Sequence, residues 1–208
     1  MGFFTHGAAG SFGPVLRGER VYLRPPTASD YPAWARLRSE SREFLRPWEP
    51  TWPADDLTRI AFRRRLRRYQ RDMREDDGYA FFLFDSSDDA IVGGLTLAHI
   101  RRGVTQSCSL GYWTGQRFAG KGFMTAGVRL AIGFVFDTLH LHRLEAACLP
   151  SNGPSIRLLE KVGFQREGYA RSYLCINGAW QDHLLFALVR GDLGGDRGAK
   201  GIRLVAAS

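Results

Sequence analysis

Residues Arg117, Phe118, Ala119, Gly120, Lys121 and Gly122 follow a strand-like run that ends at Trp113 and precede a helical run that begins near Met124. Glycines at this spacing let the backbone approach a ligand closely and take conformations barred to other residues. Successive N–H groups in such a turn form an anion nest, and the start of the helix adds the positive end of its dipole. A pyrophosphate is the natural ligand for that geometry. The pattern is not a nucleoside-triphosphate loop, because Gly122 stands where Ser or Thr would follow Gly120-Lys121. Nor is it a dinucleotide fingerprint, which needs three glycines opening a βαβ unit and a later acid.

Groups able to move protons are spread along the chain. Glu49 lies in a loop forced to extend by Pro47, Pro50 and Pro53. His99, His140, His142 and His183 are too scattered to form a recognisable metal cluster, and His6 is near the N-terminus, so no metal is expected. Cys108, Cys148 and Cys175 are odd in number, lack C-x-x-C spacing and lie in apolar runs. They read as small core residues in a reducing compartment.

The elements that must position these groups come in a legible order. Residues 20–24 alternate as a short strand. Thr27 and Asp30 form a capping-box-like start to a helix that reaches about Ser39. Asp55 or Asp56 is expected to start a second helix that ends before Gly78. Three strands follow, over residues 79–84, 90–99 and 105–113, then a helix over 124–139 and a strand over 143–149. A helix over 155–162 stops at Gly163, and Asn177-Gly178 joins the last two strands as a hairpin. Residues 1–14 and 191–208 read as flexible tails around a domain over 15–190.

A chain of 208 residues supports one well-buried domain. No apolar run reaches the roughly 18 residues needed to span a bilayer, and the N-terminus lacks the pattern of a secretory signal. These features predict a cytoplasmic protein with no membrane partner. The formal net charge of +8 favours acidic partners without choosing among them. The second helix carries Arg63, Arg64, Arg65, Arg67, Arg68, Arg71 and Arg74, which read either as a solvated face or as a docking face for ribosomal RNA.

The glycine loop matches the Gln/Arg-x-x-Gly-x-Gly/Ala signature of the GNAT acetyltransferase superfamily, in the strand–loop–helix setting that family uses. Residues 150–155 and 158–164 resemble its second cofactor motif. Residues 42–50, 167–171 and 177–183 resemble the RimJ branch of ribosomal-protein-alanine N-acetyltransferases, and the likeness spans roughly 15–190. It implies an α/β (α+β) GNAT fold, with a mixed, mostly antiparallel sheet of about seven strands flanked by four helices. It implies acetyl-CoA as cosubstrate, held by the backbone of Phe118, Ala119, Gly120, Lys121, Gly122, Phe123 and Met124 after Arg117. The strand containing Leu110, Tyr112 and Trp113 would pair with the pantetheine amides and offer an oxyanion N–H. Asn152 would bond the pantetheine arm, or else serve only as a helix-start residue.

The implied reaction acetylates the α-amino group of an Ala- or Ser-initiated ribosomal protein, by direct transfer in a ternary complex, by a monomer or homodimer. Such an amine has a pKa of about 8, so a weak base suffices. Glu49 is the candidate base, or alternatively a surface acid or the partner of an Arg. Ser155 matches a serine of the related RimL enzymes thought to protonate the thiolate, with Tyr173 as the alternative donor. The glutamate those enzymes use falls at Leu174 here, so that base does not carry over. Phe44, Trp48 and Trp52 would line the acceptor cleft or pack the loop. Two rival functions are acetylation of small amines such as polyamines or antibiotics, and a ribosome-assembly or RNA-binding role with incidental acetylation.

Overall fold

The computed structural model describes residues 13–194. Eight strands form one sheet in the order β1-β2-β3-β4-β5-β6-β8-β7. They are β1 (Leu16–Arg17), β2 (Val21–Arg24), β3 (Gly78–Asp85), β4 (Ile91–Arg101), β5 (Ser107–Thr114), β6 (Arg143–Cys148), β7 (Gln165–Ile176) and β8 (Ala179–Val189). The helices are α1 (Tyr31–Glu40), α2 (Arg42–Leu45), α3 (Arg59–Arg74), α4 (Phe123–Gly133) and α5 (Gly153–Lys161). Neighbouring strands are antiparallel except β5 and β6.

Strand alternation divides the core into two layers. Phe81 and Leu83 of β3 join α4 and α5 on one face, packing with Met124, Val128 and Leu159. Phe82 and Phe84 point the other way, onto Trp34 and Leu37 of α1 and Phe62 and Leu66 of α3. Apolar runs along these strands follow from this two-sided burial.

The mixed, mostly antiparallel α/β architecture agrees with expectation, with four corrections. The two-residue β1 makes an eighth strand; so short a segment carries no periodicity. α2 is a fifth helix, in a stretch read as loop. α3 begins three residues later than expected, because Thr58 caps it by accepting from the Ala61 N–H at 3.1 Å. Asp55 and Asp56 instead reach forward to Arg64 and Arg65 at 3.0 and 2.6 Å. Finally, Cys175 is exposed, because alternation on β7 turns it to the face opposite buried Ile176, whereas Cys108 and Cys148 are buried.

Other details sharpen the reading. Asp30 accepts from the Thr27 N–H at 2.6 Å, as a capping box requires, and also holds Arg24 at 2.7 Å. The helix after the glycine loop widens into a π turn over Phe134–Thr138. Residues 190–194 form a 3-10 turn in which Asp192 accepts from the Val189 N–H, so the expected C-terminal tail begins later than residue 191. The remaining tail residues, 1–12 and 195–208, lie outside the described residues, as does His6. β7 is interrupted against β8 by register shifts at Arg166/Gly168 and Ala170/Leu174.

Candidate active site

The parallel pair β5–β6 keeps its register from Ser107↔Arg143 to Leu110↔Ala146 and then separates. Both strands continue, so a wedge opens between Gly111–Thr114 and Ala147–Leu149. The β5 edge facing the wedge is unpaired beyond Leu110, while its other edge stays bonded to β4 as far as Thr114. A cavity of about 650 Å³ fills the wedge and extends along the glycine loop and the start of α5. The expected residues Leu110, Tyr112, Trp113, Phe118, Ala119, Gly120, Gly122, Phe123, Met124, Asn152 and Ser155 all line it, as do Phe44, Trp48 and Glu49.

The glycine loop has the anatomy of an anion cradle. Gly120 and Gly122 take φ of +73° and +83°, and Gly122 caps α4 from the left-handed region. Side chains rarely adopt that region. A Cβ added at Gly120 would meet no atom within 4 Å, so the backbone there borders open space. Among the described residues, the N–H groups of Gly120, Lys121, Gly122, Phe123 and Met124 have no backbone acceptor. The Lys121 carbonyl is turned away and accepts from Arg20 at 2.7 Å. Free N–H groups, a helix start and open volume together fit a pyrophosphate. Arg117 stands outside the cavity lining, with its guanidinium 4.7 Å from the Phe118 ring. Lys121 likewise stands outside the cavity lining.

On the α4/α5 face, the Ser155 hydroxyl lies 2.7 Å from the Tyr112 hydroxyl. Burial pushes the Tyr112 phenol up to about 12, with the Ser155 bond opposing the shift, so it stays protonated through the neutral range. Burial also raises the neighbouring Cys148 thiol, which keeps it from serving as a thiolate nucleophile. Asn152 caps α5 by accepting from the Ser155 N–H at 3.1 Å, and its amide N–H groups remain able to donate into the cavity. Tyr173 is not brought into the lining. It packs edge-on against His183, at 5.7 Å between ring centroids.

On the α1/α3 face, both Glu49 oxygens are held by Arg38, at 2.7 and 2.6 Å, and one also accepts from the Trp52 indole at 2.7 Å. Arg38 is 6% exposed and lies 4.1 and 4.8 Å from the Trp52 and Trp113 rings. A smaller cavity of about 350 Å³ adjoins the first and shares Glu49, Gly111, Tyr112 and Trp113 with it. The Glu49 loop is tied to the hairpin tip, because the Asn177 N–H donates to the Glu49 carbonyl at 2.9 Å.

Three contributors escaped the sequence reading: the Tyr112 hydroxyl as the partner of Ser155, Arg38 as the partner of Glu49, and His183 in the cavity wall. Only the Asp-His beside the hairpin hinted at the last. Among the described residues, no group of three or more His, Cys, Asp or Glu side chains could hold a metal. No helix among them is long and apolar enough to cross a membrane.

The chain matches the family described as "Acetyltransferase (GNAT) domain" over residues 20–165. It is 38% identical over 178 residues to the probable N-acetyltransferase YjcK of Bacillus subtilis (strain 168), covering 86% of this chain and 98% of that one. It is 37% identical over 179 residues to the [ribosomal protein uS5]-alanine N-acetyltransferase of Escherichia coli (strain K12), covering 85% and 91%. Among solved structures, RimJ of Mycobacterium smegmatis in complex with CoA-disulfide superposes with a TM-score of 0.80 at 33% identity, over 84% of each chain.

Proposed function

The chain belongs to the GNAT acetyltransferase family and is an acetyl-CoA-dependent N-acetyltransferase; within that activity we propose that it acetylates the N-terminal α-amino group of a ribosomal protein beginning with Ala or Ser. One observation carries the choice of acceptor: the 37% identity to an enzyme named for uS5 alanine, along nearly all of that enzyme's length. The cavity is compatible with it. The Glu49 loop and the β7–β8 hairpin, joined by the Asn177–Glu49 bond, both border the cavity, and the acceptor is assigned to their side of it.

Acetyl-CoA supplies an activated acyl carbon on a thiol leaving group. The glycine loop fixes the pyrophosphate through N–H groups, and the free β5 edge beyond Leu110 offers peptide groups to the amides of the pantetheine arm. Acyl transfer also needs a proton for the departing thiolate. The Ser155–Tyr112 pair holds one at the α5 end of the wedge, and the raised phenol prevents its loss at working pH. In this reading the acceptor approaches the wedge from the side of Trp113 and the Glu49 loop, and the acetyl group passes to it directly in a ternary complex.

Exposed Arg63, Arg67, Arg68 and Arg74 on α3 support a cationic docking contact with ribosomal RNA as part of this proposal. An enzyme working on nascent or assembling ribosomal proteins would operate in the cytoplasm.

The acceptor is tested by thiol release from acetyl-CoA against N-terminal peptides of ribosomal proteins and a panel of small amines. Turnover confined to Ala- or Ser-initiated peptides is the expected outcome. Turnover on polyamines or other small amines alone would reassign the acceptor. The proton donor has its own test. Ser155→Ala should lower kcat by roughly 100-fold, the low end of the range of general acid catalysis because Tyr112 remains, with acetyl-CoA affinity changed less than about threefold. A full rate would pass the role to water.

A further inference from the structure

His183 is 2% exposed, yet it forms part of the wall of the main cavity. Its position follows from the sheet. The next residue, Leu184, pairs with Cys148, the last residue of β6, where the wedge is already open. Leu184, Phe186 and Leu188 pack into the α4/α5 core layer. Alternation along β8 therefore turns His183 to the opposite face, the one that carries Trp113, Arg38 and the Glu49 loop. Ser155 and Tyr112 lie on the α4/α5 face. A proton acceptor on one side of the wedge and a proton donor on the other is the arrangement that acyl transfer to an amine requires.

The ring's hydrogen bonding fixes which nitrogen is free. Nδ1 lies 2.9 Å from the Gln181 carbonyl oxygen. A carbonyl can only accept, so Nδ1 carries the hydrogen, and the neutral ring keeps its lone pair on Nε2. Tyr173 packs edge-on against the same ring and sets its plane. Neighbouring charges are already answered. Glu49 is held by Arg38. Asp182 accepts from the Tyr169 hydroxyl and the Ser172 N–H, which hold it below the usual carboxylate range. Cys148, at the end of β6, is kept as a thiol by burial. His183 is thus a cavity residue on the acceptor face whose Nε2, among the described residues, is engaged in neither a hydrogen bond nor an ion pair.

We propose that His183 is the general base of the reaction. As the amine nitrogen bonds to the acetyl carbon and the C–S bond breaks, the amine proton passes to Nε2. The thiolate takes its proton from the Ser155–Tyr112 pair, the pair regains one from water, and Nε2 releases its proton to water. This deepens the acetyl-transfer reading and rests on an amine acceptor, whether peptide or small molecule.

The test uses the full chain, acetyl-CoA and whichever amine of the panel is turned over. In His183→Asn the amide Nδ2–H replaces Nδ1–H against the Gln181 carbonyl while Nε2 is deleted. A purely structural histidine would be rescued by this change. A base would not: kcat/KM at pH 7 should fall about 100-fold, and the acid limb of the pH–rate profile should flatten. An unchanged acid limb in His183→Asn overturns the proposal. A second readout needs no acceptor. Long-range 1H–15N spectra of 15N-histidine-labelled protein with CoA, with His183 assigned through the Asn variant, should show the Nδ1–H tautomer. An Nε2–H tautomer overturns the proposal even if the enzyme is active. Absence of turnover on every peptide and amine would instead sink the acceptor reading, leaving the tautomer to decide whether His183 can act as a base.

Discussion

Gly120→Val should raise the Kd for acetyl-CoA at least about 100-fold while the protein remains folded. Gly120 sits at φ +73° with open space where a Cβ would project. An L-residue in that region costs roughly 1–2 kcal/mol, and a β-branched one is a genuine outlier. The valine therefore either strains the loop or rotates its N–H groups away from the phosphates, and in both cases its methyl groups occupy the cradle. Displaced N–H groups and lost cradle volume are together expected to reach the roughly 2.8 kcal/mol that a 100-fold change represents. Gly103→Val is the control, since that glycine also borders open space but lies outside the cavity lining and outside the left-handed region. Calorimetric titration with acetyl-CoA, beside a circular dichroism melt, reads both quantities. A Kd within threefold of wild type would mean that the loop does not hold the pyrophosphate.

The second large effect concerns Glu49, and it is an effect on stability. Arg38 is buried, stacks on two tryptophans and is neutralised by Glu49 through two hydrogen bonds. Its Nε has no partner among the described residues, so the carboxylate carries the whole compensation. Removing one member of such a pair leaves an uncompensated buried charge and costs about 3–5 kcal/mol. Glu49→Gln keeps the shape and loses the charge. It should lower Tm by on the order of 10 °C in a chain of this size. The double variant Arg38→Met/Glu49→Leu should recover most of that loss, because neither charge remains buried. If Glu49→Gln melts like wild type but turns over slowly at neutral pH, the carboxylate is a base after all and the scaffold role assigned to it is wrong.

Where the chemistry was local, the sequence was legible. The conformations of Gly120 and Gly122 are properties of single residues, and Asn177 and Gly178, at φ of +47° and +82°, make the hairpin turn that their types announce. The seven longer strands were visible through alternation, apolar runs and the turn residues between them. What escaped depends on contacts between distant segments. Ser155 was visible as a helix-start hydroxyl, but its partner Tyr112 is 43 residues away, and only the parallel β5–β6 crossover brings them together. Glu49 was legible as a base, a surface acid or the partner of an Arg, but which Arg was not, because Arg38 lies on a preceding helix whose orientation no local pattern gives. Asp55 and Asp56 look like helix caps, yet Thr58 takes the capping role and the two acids find Arg64 and Arg65. Cys175 sits in an apolar run, but its burial is decided by what packs on its face of β7, and it points opposite to buried Ile176.

The interruptions along β7 have a consequence for how the protein avoids its own kind. A twelve-residue outer strand is a template on which another chain can add a strand, the first step of aggregation. Register breaks at Arg166/Gly168 and Ala170/Leu174 twist that edge, and exposed Arg166 and Arg171 charge it. The edge of β5 inside the wedge carries no such protection, but it is recessed between β6 and the glycine loop. A second polypeptide sheet cannot reach it, whereas a single slender chain can. The fold thus blunts the edge that faces solvent and leaves bare the edge that only a narrow thread can enter.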